Sequence, residues 1–227
     1  MAALESGNLV IVVTGGDPVD PAHLPQWPAG ALVIAADSGI DRALELGLSV
    51  DVAIGDFDSV RPGSLRRVTS DGATVEQHPA AKDATDLELA IDAALRYEPS
   101  QVLVIGGHGG RLDHLLANAM LLAAPAYATL SMVAQMGAAR VTVIRDHASL
   151  TGPVGDLVTL LALHGGASGI CTEGLLYPLR DEALLPGSTR GVSNELTSGI
   201  ASVRIATGVV VAIQPGQIGT HHQMAPS

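Results

Sequence analysis

Short apolar runs alternate with helical patterns through residues 8–123, and this alternation limits the folds that the chain can adopt. Residues 8–14, 31–36, 52–55 and 101–105 are rich in Val, Ile and Ala. The segments between them carry apolar residues at the three- and four-residue spacing of amphipathic helices. Strands that are apolar on both faces require cover on both faces, which parallel sheets obtain from crossover helices. This part of the chain therefore predicts a mostly parallel, Rossmann-like α/β/α sheet.

The pattern changes in the second part of the chain. Glycine and proline there separate short strand-like runs at residues 130–134, 141–145, 157–163, 169–172, 201–205 and 209–213. Such spacing is typical of small antiparallel sandwiches or barrels. We therefore predict an α/β protein with a mostly parallel sheet domain at 1–135 and a small antiparallel β-sandwich domain at 136–227.

Composition limits the partners of the chain. The formal net charge is −11 and Lys82 is the only lysine, which argues against nucleic acid or an anionic membrane as a partner. Cys171 has no second cysteine to pair with, as expected in a reducing cytoplasm. No run approaches the roughly 18 apolar residues of a spanning helix. The adjacent pair His221–His222 is expected to be inert rather than a metal site.

Aspartates follow several of the predicted strands. Asp56 and Asp58 come directly after residues 52–55, and extended chain would place their carboxylates on one side. Asp37 follows residues 31–36, and Asp83 and Asp86 stand where a helix begins. Strand and helix ends are where open α/β proteins build their sites. Hard oxygen ligands with few lysines nearby favour Mg²⁺, which usually arrives with substrate phosphates.

The glycine-rich turn at residues 106–110 is the second functional signal. It joins a strand to a helix that begins near Arg111 and carries Leu112, Leu116 and Met120. Backbone N–H groups in such a turn form a cradle for an anion, and arginine can grip phosphate with two hydrogen bonds. No Gly-Lys-Ser/Thr follows, so the turn is not a Walker A loop. Asp113 and His114 stand beside the same turn, either as site residues or as a surface pair.

Structural explanations compete with these functional ones. Thr85 and Glu88 match a capping box, which accounts for both residues, and for Asp86 near a helix N-terminus, without any function. Asp56-x-Asp58 also fits the nucleophile motif of haloacid-dehalogenase-type phosphatases. That family needs a later acidic pair in the sheet domain, and no adjacent pair fits. The combined pattern favours phosphoryl-type transfer from a Mg²⁺–nucleotide complex.

At these residues the sequence resembles the thiamine pyrophosphokinases. The matching segments in the first domain are 36–43, 55–60, 82–90 and 109–114 with Asn118. Segments 155–161, 172–179 and 191–195 are similar to the second domain of the family. The resemblance runs from about Val10 to Val211 and keeps the order of the motifs.

The resemblance implies transfer of the pyrophosphoryl group of ATP to the hydroxyl of thiamine, which releases AMP. It also implies a role for each matched residue. Asp56, Asp58 and Asp86 would hold Mg²⁺ and act in catalysis with Arg111 and Asp113. The ATP and phosphate site would comprise Asp37, Ser38, Asp83, Thr85, Gly109, Gly110, Arg111, Asp113 and His114. Ser193 and Asn194 would contact thiamine, in a homodimer with active sites at the subunit interface.

Other functions remain open at this point. A pyrophosphokinase for a pterin alcohol would share the catalytic domain, although residues 193–195 favour thiamine. A dehalogenase-type phosphatase would hydrolyse phosphate esters without ATP. A sensor of nucleotide or thiamine diphosphate would bind without turnover.

Overall fold

The computed structural model describes residues 8–216, which divide into two compact units. The first unit contains the residues up to Gly137 together with Val141–Val143. The second contains Ala138–Arg140 and the residues from Ile144 onward. The pair His221–His222 lies outside the described residues.

The first unit is built on six parallel strands. They are β1 (Leu9–Val13), β2 (Leu32–Ala36), β3 (Val52–Gly55), β4 (Thr74–Gln77), β5 (Gln101–Ile105) and β6 (Ser131–Met136). Their order across the sheet is β4-β3-β2-β1-β5-β6, and each neighbouring pair is parallel. Every residue of β1 is buried, because helices cover the sheet on both faces. The strands predicted at the four apolar runs are confirmed.

Four helices accompany this sheet. They are α1 (Gly39–Glu45), α2 (Ser64–Ser70), α3 (Asp86–Leu95) and α4 (Leu112–Leu122), with short 3-10 helices at Pro21–His23 and Pro125–Tyr127. The hydroxyl of Thr85 accepts a hydrogen bond from the Glu88 N–H at 3.2 Å, so the predicted cap at the start of α3 is confirmed. Leu87, Ala90 and Ile91 then bury one face of that helix.

The order of the strands creates a switch point between β1 and β5. From β1 the chain adds β2, β3 and β4 on one side, and it returns to place β5 and β6 on the other side. The chain that follows β1 and the chain that follows β5 therefore continue toward opposite sides of the sheet. Ligands of open α/β sheets bind at such switch points. The fold thus places a site at the ends of β1, β2, β3 and β5.

The second unit is antiparallel. Its strands after β7 (Ala139–Ile144) are β8 (His147–Thr151), β9 (Leu157–Glu173), β10 (Arg180–Leu184), β11 (Asn194–Glu195), β12 (Ile200–Arg204) and β13 (Thr207–Gln214). β9 pairs with β10, β11, β12 and β13, and β12 also pairs with β8. Leu160, Ile170 and Val203 belong to an aliphatic core of this unit. The mixed parallel and antiparallel strands confirm the α/β class.

Two features of the structure differ from the sequence prediction. The runs predicted at 157–163 and 169–172 are one strand, β9. β13 pairs with its first part and continues to Ser168 past a register shift between Gly208 and Val209, where β9 bulges. β10 and β12 pair with its last part. The apolar residues of α4 do not all face the core. Leu112, Leu116 and Met120 are 68%, 57% and 55% exposed, whereas Leu122 is buried. None of the helices within residues 8–216 is long and apolar enough to cross a membrane.

Candidate active site

A polar cavity of about 660 Å³ lies within the first unit, where the loops after β1, β2, β3 and β5 meet. Its walls also include the segment that leads into α3 and the beginning of α4. Residues from all four predicted motifs line it: Asp37, Ser38, Asp56, Asp58, Thr85, Asp86, Gly109, Gly110, Arg111 and His114. Segments far apart in sequence therefore form one site at the switch point of the sheet.

Three carboxylates form a compact group in this cavity. Asp37, Asp56 and Asp58 each offer an oxygen, and these oxygens lie within 4.8 Å of one another. One oxygen of Asp37, Oδ1, is buried and has no hydrogen-bond partner in the described part of the chain. A buried acceptor without a donor is unfavourable, so the group is suited to a cation. Hard carboxylate oxygens are the ligands that Mg²⁺ prefers.

Local backbone geometry brings these carboxylates together. Phe57 adopts the left-handed conformation with φ 63°, so residues 56–58 form a turn and are not extended as predicted. The Asp58 N–H donates to Asp56 Oδ1 at 3.2 Å and closes that turn. Asp37 is also left-handed, at φ 45°. Non-glycine residues in this region are strained, and such strain is concentrated at functional sites.

Lys82 is the cation that contacts the acidic group directly. Its ammonium lies 3.3 Å from Asp56 Oδ2 and 3.0 Å from Asp86 Oδ1. Burial disfavours the charge of Lys82, but its hydrogen bonds and charge interactions with Asp86 and Asp56 outweigh this and raise its pKa. Asp86, which was predicted as a metal ligand, is thus ion-paired here, and Asp37 completes the compact group.

The carboxyl groups respond differently to this environment. Burial raises the pKa of Asp37, and the negative charges of Asp86, Asp56 and Asp58 add to the effect. The backbone hydrogen bond from Asp58, together with the ammonium of Lys82, lowers the pKa of Asp56. Asp56 therefore remains ionised, whereas burial and the neighbouring carboxylates disfavour the charge of Asp37.

The glycine turn after β5 interlocks with the loop after β1. Gly107 donates its N–H to Gly15 O at 2.8 Å, and Asp17 donates its N–H to His108 O at 2.9 Å. Gly109 is left-handed at φ 82°, a conformation that favours glycine, and a Cβ there would also displace the Asp17 carboxylate. The buried Asn118 of α4 donates from Nδ2 to Gly107 O at 3.0 Å and fixes the turn from below.

His108 stands inside this turn and lines the cavity. Burial lowers its pKa, although the charge of Asp17 acts in the opposite direction. A Cβ at Gly137 would lie 2.7 Å from His108 Nε2, so the imidazole packs into space that glycine leaves. Its Nδ1 is buried without a hydrogen-bond partner among residues 8–216. The lowered pKa therefore favours a neutral imidazole within this turn.

Arg111 and Asp113 form a pair at the start of α4. Two hydrogen bonds join the guanidinium to the carboxylate, with Nε to Oδ1 at 3.2 Å and Nη2 to Oδ2 at 2.5 Å. The arginine holds the pKa of Asp113 at about 2. Arg111 lines the cavity, and Asp113 orients it. The side chain of Asp83 is exposed, beside the segment that leads into α3.

Sequence reasoning missed the loop after β1. Thr14, Gly15, Gly16 and Asp17 line the cavity, yet the apolar run before them predicts only that a strand ends there. Their position beside the glycine turn follows from the pairing of β1 with β5. The pair Gly15–Gly16 after a buried strand was the available signal.

The predicted thiamine residues lie in the second unit. Ser193 is exposed and left-handed at φ 56°, and its N–H donates to Thr159 Oγ1 at 3.1 Å. Asn194 is buried, and its Oδ1 accepts hydrogen bonds from the N–H groups of Tyr177 and Glu195 at 2.9 Å. Its Nδ2 donates to Tyr177 O at 2.7 Å. Asn194 therefore holds the two segments together next to the exposed Ser193.

The charge of Asp37 yields a prediction for the metal-free protein. Folded Asp37 binds its proton more tightly than the unfolded chain does, so its ionisation favours unfolding. Asp37→Asn should therefore raise the melting temperature at pH 7, and the gain should shrink as pH falls toward the ordinary pKa of 3.8. Thermal melts in EDTA measure this effect. Asp83→Asn, an exposed neighbour, should change nothing, and a lower melting temperature for Asp37→Asn would contradict the argument.

Two family models match the chain in order. Residues 25–134 match "Thiamin pyrophosphokinase, catalytic domain", and residues 142–210 match "Thiamin pyrophosphokinase, vitamin B1 binding domain". Together the two matches span more than three quarters of the chain. The first contains every predicted metal and phosphate residue, and the second contains Ser193 and Asn194.

Known proteins agree with these matches. Thiamine pyrophosphokinase from Bacillus subtilis (strain 168) is 28% identical over 193 residues, which are 81% of this chain and 86% of the relative. A crystal structure of the B. subtilis enzyme superposes with a TM-score of 0.80 at 25% identity and covers 92% of this chain and 100% of that chain. The structure from Geobacillus thermodenitrificans shares the fold, with a TM-score of 0.78 at 24% identity over 93% and 99% of the two chains. This chain belongs to the thiamin pyrophosphokinase family.

Proposed function

We propose that this protein is a thiamine pyrophosphokinase, an ATP-dependent diphosphotransferase. It transfers the pyrophosphoryl group of ATP to the hydroxyl of thiamine and produces thiamine diphosphate and AMP. The observation that carries this conclusion is the match of both family domains, in order, to a chain whose first unit gathers the acidic group and the glycine turn in one cavity. The matches support this reaction and not the pterin or phosphatase alternatives.

The domain roles follow from this function. The α/β domain at 1–135 binds the nucleotide, and the domain at 136–227 is a β-sandwich that binds thiamine. The single cysteine, Cys171, is exposed and unpaired, which fits an enzyme of the reducing cytoplasm.

The acidic group is the proposed metal site. Asp56 and Asp58 would hold Mg²⁺ together with Asp86, and the compact group in the cavity adds Asp37 as a further candidate ligand. The ammonium of Lys82 lies between the carboxylates of Asp56 and Asp86 and neutralises part of their charge. Its position shows that this part of the cavity favours a cation. When bound, Mg²⁺ supplies charge neutralisation for the phosphates of ATP.

The glycine turn and the residues beside it are the proposed phosphate site. Gly109, Gly110 and Arg111 line the cavity that the nucleotide would fill, and their backbone N–H groups and guanidinium are the donors available for its phosphates. Asp113 orients Arg111, so its contribution to catalysis is to fix the direction of that charge. Ser38, Asp83, Thr85 and His114 complete the set around ATP. Positioning and charge, rather than covalent chemistry, dominate phosphoryl transfer.

The assay for this function separates AMP from ADP. Purified protein with ATP, Mg²⁺ and thiamine should form AMP and thiamine diphosphate, and Asp58→Ala should reduce turnover about a thousandfold or more because a metal ligand is lost. Asp71→Ala removes an exposed aspartate of the same unit and should leave turnover intact. Chromatography of the nucleotides measures both results. ADP as the thiamine-dependent product, or normal turnover of Asp58→Ala, would refute the assignment.

Ser193 and Asn194 are the proposed thiamine residues. Because Asn194 is committed to the backbone of Tyr177, it acts mainly by fixing the segment that presents Ser193. Ser193→Ala should raise the KM for thiamine about three- to tenfold, the value of one hydrogen bond, and should leave the KM for ATP unchanged. Steady-state kinetics with Ser202→Ala as the control test this placement. A change in the KM for ATP alone would contradict it.

We also propose that the enzyme is a homodimer with its active sites at the subunit interface. The exposed apolar stripe of α4, formed by Leu112, Leu116 and Met120, supports a second copy as its cover, because a monomer rarely exposes such a stripe. The stripe begins directly after Arg111, beside the phosphate site.

A charge in this stripe should separate the subunits. Leu116→Glu would bury a carboxylate in an apolar interface, so the protein should change from dimer to monomer in light scattering. Ala117→Glu, one exposed position along α4, should remain dimeric. A monomeric wild-type protein, or a dimeric Leu116→Glu variant, would contradict the proposed interface.

A further inference from the structure

Asp41 is a buried carboxylate that has no place among the site residues assigned above. It lies on α1 and is only 6% exposed. Its Oδ2 accepts a hydrogen bond from the Arg61 N–H at 3.1 Å, and its Oδ1 has no hydrogen-bond partner within residues 8–216. Burial of a carboxylate that is only half satisfied is unfavourable. The one hydrogen bond that it makes therefore indicates what the residue does.

That hydrogen bond holds the end of the loop that carries Asp56 and Asp58. The loop leaves β3 after Gly55 and reaches Arg61 before α2 begins. Phe57 and Val60 pack against the core of the first unit, and they anchor the loop through apolar contacts. These apolar contacts hold the loop against the core, but unlike a hydrogen bond they do not fix its orientation. The bond from the Arg61 N–H to Asp41 is the directional anchor at the far end.

The anchor is itself rigid. α1 begins at Gly39, where a Cβ would lie 2.2 Å from the carbonyl oxygen of Val13, so the first turn of the helix packs directly on the end of β1. Asp41 lies in that first turn. Its carboxylate therefore has a fixed position relative to the central strand and to the glycine turn that contacts the loop after β1.

The side chain of Arg61 does not provide this anchor. Its guanidinium is 63% exposed and pairs with Glu45 at 2.7 Å, and its Nε reaches Asp41 only at 4.0 Å. Exposed ion pairs of this kind contribute little to stability. The backbone N–H is a different group, and replacement of the Arg61 side chain leaves it in place.

We propose that Asp41 is a positioning residue for the metal site and acts through the backbone N–H of Arg61 on the loop that presents Asp56 and Asp58. The inference rests on the proposed metal role of those two aspartates. Groups that orient metal ligands from outside the ligand set change metal affinity about 10–100-fold when they are removed. Asp41 is such a group, and it acts at the Arg61 end of the loop.

Titration with Mn²⁺ in the absence of ATP and thiamine tests the inference, with free Mn²⁺ followed by electron paramagnetic resonance. Asp41→Ala should bind Mn²⁺ about tenfold or more weakly than the wild type. Asp41→Asn keeps an oxygen acceptor and should stay within about threefold. Arg61→Ala keeps the N–H and should match the wild type. Melting temperatures measured in parallel separate loss of positioning from loss of stability.

The outcomes distinguish the inference from the function on which it rests. Unchanged Mn²⁺ affinity in a less stable Asp41→Ala would make the role purely structural and overturn the inference. Asp41→Asn as weak as Asp41→Ala would assign the effect to charge and also overturn it. Wild-type protein that binds no Mn²⁺ would remove the metal role of Asp56 and Asp58 itself. Should Asp41→Ala fail to fold, hydrogen exchange of the wild-type Arg61 amide decides, because an unprotected amide excludes the bond.

Discussion

Repulsion among carboxylates at one edge of the parallel sheet is the constraint on which the site depends. The aspartates that meet there are Asp37, Asp56, Asp58 and Asp86. Lys82 contacts two of them, and its ammonium cannot neutralise the whole group. The cavity therefore favours a further cation, and a cation with spare positive charge favours an anionic ligand. This imbalance is consistent with the proposed binding of a nucleotide polyphosphate, even though the chain as a whole is strongly acidic.

The backbone around the cavity is arranged to hold this unfavourable group in place. Asp37 and Phe57 are left-handed, and Gly39 allows α1 to touch β1 directly. Each arrangement is costly or possible only for glycine, and each lies at a strand end next to the acidic group. Asp41 adds a buried polar anchor to the same region. These strained or buried polar groups lower the stability of the region around the site, and burial of the aliphatic core beneath the loops offsets that loss.

The second unit uses a polar side chain in a similar way. Asn194 is buried, and its side-chain amide hydrogen-bonds to the backbone of Tyr177 and Glu195. These bonds hold the segment that presents the exposed Ser193. A buried side-chain amide is tolerated when its oxygen and nitrogen both have well-aligned hydrogen-bond partners. Asn194, which the sequence resemblance assigns to thiamine binding, thus also supports the segment that carries Ser193.

The amino-acid sequence by itself determined four strands of the first unit, the cap of α3 and the candidate residues, because apolar periodicity and capping act over a few residues. The run at 130–134, which was grouped with the antiparallel strands, is instead the parallel strand β6 beside β5. The sequence failed for α2 and β10, whose polar residues give no such signal. It also could not place Gly15 and Gly16 in the site, or predict the turn at Phe57 between the carboxylates of Asp56 and Asp58. Those features were decided only by the tertiary structure. The pairing of β1 with β5 brings distant loops together, and the packing of Phe57 against the core holds a backbone conformation that local preference disfavours.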